Sequence, residues 1–160
     1  MSADGAGDAP AAQPVVLTTG PFAGWSTWST GRDPFETAIG PFCFRLERER
    51  VRCAFEPRRE HLNGGGAIHG GALMSFADFA LFCIAHKELA GQTAVTLTCN
   101  SEFLKAGDLS GLVEAEGEVL RATRSLIFVR GLVTQVSQPL LAFSATLKKI
   151  ERRAHMSAAG

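Results

Sequence analysis

Charge of one sign is what this chain most lacks: 16 Lys and Arg balance 16 Asp and Glu, for a formal net charge of zero. With 46% hydrophobic residues in a length of 160, that balance argues against a nucleic-acid coat or a disordered tail protein. The basic residues are also scattered, so any phosphate site must be small and local. Paired cysteine spacing is missing as well. Cys43, Cys53, Cys83 and Cys99 stand singly in apolar stretches, which suits buried free thiols in a reducing cytoplasm better than disulfides. Cys83 and His86 have a spacing found in metal sites, but no second pair follows to complete a zinc site. No apolar run reaches the roughly 18 residues that span a bilayer. The opening "MSADGAGDAPAAQP" has neither a basic segment nor an apolar core, so a flexible tail is expected there and a signal peptide is not. Internal repeats are absent too. The expectation is a soluble, cytoplasmic, single domain over residues 21–150, between tails at 1–20 and 151–160, burying roughly two thirds of its unfolded surface.

Within that domain, "FAGWSTWS" (22–29), with the chain's only tryptophans, could begin a short helix or lid. "FCFRLERERVRCAFEP" (42–57) alternates apolar and charged residues around Glu47 to Arg50, which predicts a β-hairpin. Residues of about 70–89 lack proline and are rich in Ala, Leu, Phe and Met almost all round, which predicts one long buried helix. From residue 93 four β-branched or alternating runs follow, "TAVTLTCNSEFL", "GLVEAEGEVLRA", "SLIFVRGLVTQV" and "PLLAFSATLKKI". Short polar turns between them predict an antiparallel meander. In the second run Val113, Ala115, Gly117 and Val119 should face inward and Glu114, Glu116 and Glu118 water. A hydrophobic helix wrapped by a curved antiparallel sheet is the economical α+β arrangement of these elements.

"HLNGGGAIHGG" (61–71) sits directly before the helix and needs its own explanation. A dinucleotide loop would have a third glycine where His69 stands, and a Walker loop would have Lys-Ser/Thr where Ala72 and Leu73 follow Gly71. An amide-lined pocket at a helix N-terminus remains, where orphan N–H groups and the positive dipole end favour a developing negative oxygen. A flexible loop with a helix cap is the plainer alternative. Asp78 raises the same question. A charged acid among Phe76, Ala77, Phe79, Ala80 and Leu81 costs several kcal/mol if dry and unpaired. It reaches water, bonds a hydroxyl such as Ser75 one turn back, or has a chemical task.

Asn63-x-x-Gly66-x-x-His69-Gly70-Gly71, with Asp78 nine residues after the histidine, resembles the phenylacetate-degradation (PaaI-like) branch of hotdog-fold acyl-CoA thioesterases. The element order from about residue 40 to 150 resembles that family too. The resemblance implies the hotdog fold, a curved antiparallel sheet around one long buried helix, and thioester hydrolysis without metal or other cofactor. It implies that the Gly70 amide polarises the thioester carbonyl while Asn63 helps to orient it. Asp78 would act as nucleophile or general base, His69 would orient the loop, and Thr96 would assist the water. It also implies that the turn carrying Arg121, Thr123, Arg124 and Ser125 contacts the coenzyme A moiety of the substrate. Arginine's planar fork suits phosphate, although solvated arginines are ordinary in turns.

Helix geometry adds an independent constraint. Asp78 lies eight residues beyond Gly70, or about 12 Å along a helix, so one thioester carbon cannot touch both groups of one chain. If both act, a second subunit supplies one of them, and a dimer or a dimer of dimers (a homotetramer) with sites at the interface is expected. Two other classes stay open: a non-catalytic acyl-CoA binding or sensing module, against which Asp78 speaks, and a hydratase, which would want Asp and His closer together. The acyl group is not legible. Phe76, Phe79, Phe82 and Phe103 could line an aryl pocket or belong to the core.

Overall fold

The computed structural model describes residues 14–28 and 33–150. Its elements run β1 (Pro14–Val16), β2 (Ser26–Trp28), α1 (Pro34–Ile39), β3 (Cys43–Glu47), β4 (Arg50–Phe55), a 3-10 turn (Arg59–His61), α2 (Gly70–Ile84), α3 (His86–Leu89), β5 (Thr93–Phe103), β6 (Val113–Ala122), β7 (Leu126–Gln135) and β8 (Gln138–Ile150). All strands join one antiparallel sheet of order β1-β2-β3-β4-β6-β7-β8-β5. The sheet curves around α2, which touches β4, β5, β6, β7 and β8. This is the hotdog architecture.

α2 is helical because it runs fifteen residues without proline and His69 caps its start. It is buried on most of its circumference through Leu73, Phe76, Ala77, Phe79, Ala80, Leu81, Cys83 and Ile84. Burying each Leu or Phe there contributes about 1.5–3 kcal/mol. The aromatic centre joins helix to hairpin: Phe76 lies 5.3 Å from Phe42 and 4.8 Å from Phe55, ring centre to ring centre. Along β6 the expected alternation holds in its first half, with Val113 and Ala115 buried; Glu116 and Glu118 are exposed and Val119 is half-buried, but Gly117, expected to face inward, is exposed. Glu114 pairs with Arg52 of β4, and Glu118 with Arg130 of β7.

Four expectations need correcting. The four late strands are not a simple meander: β6, β7 and β8 are, but β5 pairs with β8 and occupies the sheet edge. β5 lies along β8 from Thr93 opposite Ile150 to Phe103 opposite Leu141, a long-range pairing that local pattern does not carry. Where a short helix or lid was expected over 22–29, the described residues 22–28 begin no helix; Ser26–Trp28 is a strand between β1 and β3. The long helix breaks at Ala85 into α2 and α3. Finally, β1 begins ahead of the boundary expected at residue 21. The rest of the expected N-terminal tail, and the C-terminal one, lie outside the described residues. Among the described residues no helix is long and apolar enough to cross a membrane. The cysteines are free, with Cys43, Cys53 and Cys83 buried and Cys99 partly so. His86 turns its Nδ1 to within 3.0 Å of the Cys83 carbonyl oxygen.

Candidate active site

The glycine-rich segment is a folded loop with fixed hydrogen bonds. The Asn63 side-chain oxygen accepts from the amides of Gly65 (2.8 Å) and Ala67 (3.2 Å), closing an Asx-type turn. Its backbone amide donates to the Ala67 carbonyl at 2.8 Å. Gly66 holds φ at +82°, a conformation that a residue with Cβ adopts only with strain. The side-chain nitrogen of Asn63 makes no hydrogen bond among the described residues, so the donor end of that group stays available.

At the start of α2 the amides can be accounted for one by one. His69 donates to the His61 carbonyl at 2.7 Å, and Ala72 and Leu73 donate to the His69 carbonyl. Gly71 donates to His69 Nδ1 at 2.8 Å, which makes His69 the N-cap and leaves the ring proton on Nε2. The Gly70 amide alone in this run has no partner among the described residues. The exposed ring of Phe103 lies over it, so that a Cβ added at Gly70 would come within 3.0 Å of the ring. A hydrogen-bond donor with the helix dipole behind it stands uncommitted at the surface.

Asp78 stands two turns further along α2, partly buried. The hydroxyl of Thr96 donates to its Oδ1 at 2.7 Å, so strand β5 supplies the partner. The nearby alternative does not hold: Ser75 donates instead to the Gly71 carbonyl of its own helix at 2.8 Å. The structure thus joins Asp78 to Thr96 and keeps both apart from Gly70, His69 and Asn63, which group at the other end of the helix. β5 runs antiparallel beside α2, with Thr96 at Asp78 and Phe103 at Gly70.

One perturbed acid near Asp78 has no counterpart among the expectations. Glu36 of α1 is half-buried and lies within electrostatic reach of Asp78. Burial above all, then the Asp33 and Asp78 carboxylates, push its carboxyl up to about 7. α1 is held firmly for its length. Asp33 caps it through the Glu36 amide at 2.9 Å. At its other end Arg58 donates to the Gly40 carbonyl at 2.6 Å, and His61 Nε2 lies 2.7 Å from the Ile39 carbonyl. The Arg58 amide donates to His61 Nδ1 at 2.8 Å, so Nε2 carries the proton and donates to Ile39. "DPFE" (33–36) carries the signature of a capped helix start. That signal finds α1; nothing local tells which side of α2 it covers.

The arginine turn lies at the Thr96 end of the sheet. Pairing runs Thr96–Leu147, Leu147–Ile127 and Ile127–Ala122 across β5, β8, β7 and β6. Arg121, Thr123, Arg124 and Ser125 are all exposed. The Thr123 hydroxyl is already used within the turn, where it accepts from the Leu126 amide at 2.9 Å and bonds the Leu126 carbonyl at 3.2 Å. Of the phenylalanines, Phe76 and Phe79 are buried, Phe82 packs partly against the core and Phe103 is exposed.

Residues 65–142 match the thioesterase superfamily, a span that takes in Gly70, Asp78 and Thr96. No curated protein sequence matches the chain. Among solved structures, a mutant of the phenylacetic acid degradation protein PaaI from Thermus thermophilus is 28% identical; the match covers 74% of this chain and all (100%) of that one at a TM-score of 0.63. The PaaI protein of the E. coli phenylacetic acid degradation operon is 21% identical over 75% of this chain and 86% of its own, TM-score 0.65. A hypothetical thioesterase from Streptococcus pneumoniae, solved with coenzyme A, is 22% identical over 71% and 88%, TM-score 0.62. The last two likenesses are of fold alone. The helix-in-sheet architecture is the hotdog fold, and the thioesterase match over residues 65–142 supports a thioester hydrolase. Within that fold it is similar to PaaI.

Proposed function

We propose that the protein is a cytoplasmic acyl-CoA thioesterase, hydrolysing an aryl- or acyl-CoA to the free acid and coenzyme A, with no metal or redox cofactor. The observation that carries this reading is the uncommitted Gly70 amide at a helix N-terminus, on the same helix as an acid held by a threonine. The amide and the Asn63 side-chain nitrogen bind the thioester oxygen and take up its charge as carbon becomes tetrahedral. Asp78 attacks, or takes a proton from the attacking water, and Thr96 fixes the orientation of its carboxylate. His69 shapes the donor by capping α2. Coenzyme A, the molecule solved with the S. pneumoniae thioesterase, fits the exposed arginines Arg121 and Arg124 through its phosphates.

The working unit is a dimer, or a dimer of dimers. β5 is eleven residues long and bonded on one edge to β8, and its exposed Val95, Leu97 and Phe103 make the other edge a template for pairing. Two copies of β5 paired antiparallel about a point between Cys99 and Asn100 set Thr96 opposite Phe103 of the partner subunit. Asp78 of one subunit then meets the Gly70 amide of the other, which resolves the separation along the helix. The test is thiol release from a panel of aryl- and straight-chain acyl-CoAs, with the mass in solution measured alongside. Turnover by a dimer or tetramer is the expected result. Tight acyl-CoA binding without thiol release would make the protein a binding module, and a fully active monomer would end the composite site.

A further inference from the structure

The bare Gly70 donor has apolar company that the roles assigned so far leave unused. Met74 and Phe103 are 42% and 55% exposed, although both are large and apolar, and neither belongs to the buried core. Phe103 ends strand β5, and its ring lies over Gly70, 3.0 Å from where a Cβ would stand. Met74 follows Gly70 by four residues on α2 and precedes Asp78 by four, so the three share one face of the helix. A helical side chain leans toward the N-terminus of its helix and covers the turn before its own Cα. Met74 is thereby directed to the Gly70 end of that face. On β5 the side turned to α2 carries Thr96 and, past the bulge that follows it, Cys99, Ser101 and Phe103. A single exposed apolar residue needs no explanation. Two that converge from a helix and a strand on one uncommitted N–H do.

We propose that Met74 and Phe103 form the wall against which the acyl group of the substrate packs, and so set a preference for an apolar acyl body over a short or charged one. The inference rests on the acyl-CoA thioesterase reading, and on its composite site in particular. In that site one subunit supplies Asp78 with Thr96 and, at the same end of its sheet, the arginine turn. The other supplies the Gly70 amide. A thioester carbon held between them carries two groups besides its oxygen. The sulfur arm leads to the phosphates, and so toward the arginines on the Asp78 side. The acyl group leaves on the opposite side, where Met74 and Phe103 flank the donor. An apolar acyl body there takes its own surface and that of both side chains out of water. An acetyl group is too short to gain much of this, and a carboxylate-bearing acyl group loses hydration against the same wall.

The experiment measures kcat/KM for acetyl-, hexanoyl-, benzoyl- and succinyl-CoA in wild type, Phe103→Ala, Phe103→Leu and Met74→Ala. Wild type should prefer hexanoyl- and benzoyl-CoA to the other two. Each alanine variant should lower the hexanoyl-to-acetyl ratio on the order of 10-fold, the usual effect of a methylene contact or two in an apolar pocket. Phe103→Leu, which keeps an apolar wall, should restore most of the ratio. Both side chains are exposed, so their removal opens no cavity in the core. Met74 also lies off the β5 edge, so its variant reads the wall even where Phe103→Ala loosens strand pairing. A ratio unchanged in both alanine variants, an equal loss on every substrate, or a wild type that prefers succinyl-CoA overturns the inference. Absence of thiol release from all four substrates counts against the thioesterase reading instead. The ratio of the Kd values for hexanoyl- and acetyl-CoA in the same variants then decides the wall by itself, supporting it if it shifts and ending it if it does not.

Discussion

At the N-terminus of α2 the proposed site is made largely of backbone. Its donor is the Gly70 amide, and the side chains nearby, Asn63 and His69, spend their acceptors on holding the loop and the helix end. Two turns on, the proposed site is made of side chains from two elements, Asp78 on α2 and Thr96 on β5, with Glu36 of α1 within electrostatic reach. The backbone end depends on local geometry and carries no titrating group of its own in Gly70. The acid end depends on long-range packing and is sensitive to every charge around it. At position 70 the site should therefore tolerate an added side chain but not loss of the N–H, whereas at position 78 it is the side chain that matters.

Asp78→Asn is the sharpest test of the acid end. An amide neither accepts a proton from water nor attacks as a carboxylate, while its size and its bond from Thr96 are kept. kcat should fall by roughly 10²–10⁴-fold, the usual worth of a general base, with KM and the melting temperature little changed. A folded Asp78→Asn enzyme with wild-type turnover would reduce Asp78 to a structural acid.

The backbone end calls for a different substitution. Gly70 is the first helical residue, a position where proline is well accommodated, and His69 already has the extended ψ of 135° that a residue before proline needs. Gly70→Pro therefore removes the N–H and leaves the helix. Gly70→Ala keeps the N–H and adds the same contact with the movable Phe103 ring. Proline should lower kcat by about 10²–10³-fold, as loss of one oxyanion donor does, and alanine by much less. Equal losses in the two variants would show that crowding at Phe103, and not the donor, matters there.

The same contrast decides how far the sequence is legible. α2, the β3–β4 hairpin and the late strands follow from periodicity, because a helix or a strand writes its pattern into consecutive residues. The backbone end of the site is legible for a like reason: "HGG" before an apolar run already is a helix start. The acid end is not. Ser75 is the nearer hydroxyl in sequence, yet it bonds Gly71 in its own helix, and Asp78 takes Thr96 from a strand eighteen residues on. Thr96 follows from the family likeness and Glu36 from nothing, since the approach of α1 to α2 is a tertiary contact that local pattern does not encode. The edge position of β5 is hidden for the same reason.

The arginine turn offers a smaller effect that separates binding from chemistry. Arg124→Ala should raise KM for acyl-CoA roughly 3- to 10-fold, about the worth of one charged hydrogen bond in a partly exposed place, and leave kcat alone. An acyl-pantetheine thioester, which lacks the nucleotide, should show no change. Equal changes with both substrates would assign Arg124 to the fold.

The smallest effect concerns stability, and it sets the two ends against each other directly. Glu36 is raised from an ordinary 4.5 to about 7 in the folded chain, so between those values the folded state holds a proton that the unfolded state has lost. Folding stability from this group is thus greatest below pH 4.5 and is lost as pH rises to about 7. Partial exposure lets solvent screen the charge, which leaves a loss on the order of 1 kcal/mol. Gln at position 36 stays neutral throughout and escapes it. In urea unfolding at fixed protein concentration, the Glu36→Gln variant should match wild type near pH 4.5 and exceed it by about that amount at pH 8. Gly70→Ala, at the backbone end, should show an offset from wild type that does not change with pH. A constant gap for Glu36→Gln over the same range would mean that no buried charge is being relieved, and the electrostatic distinction between the two ends of the site would fail with it.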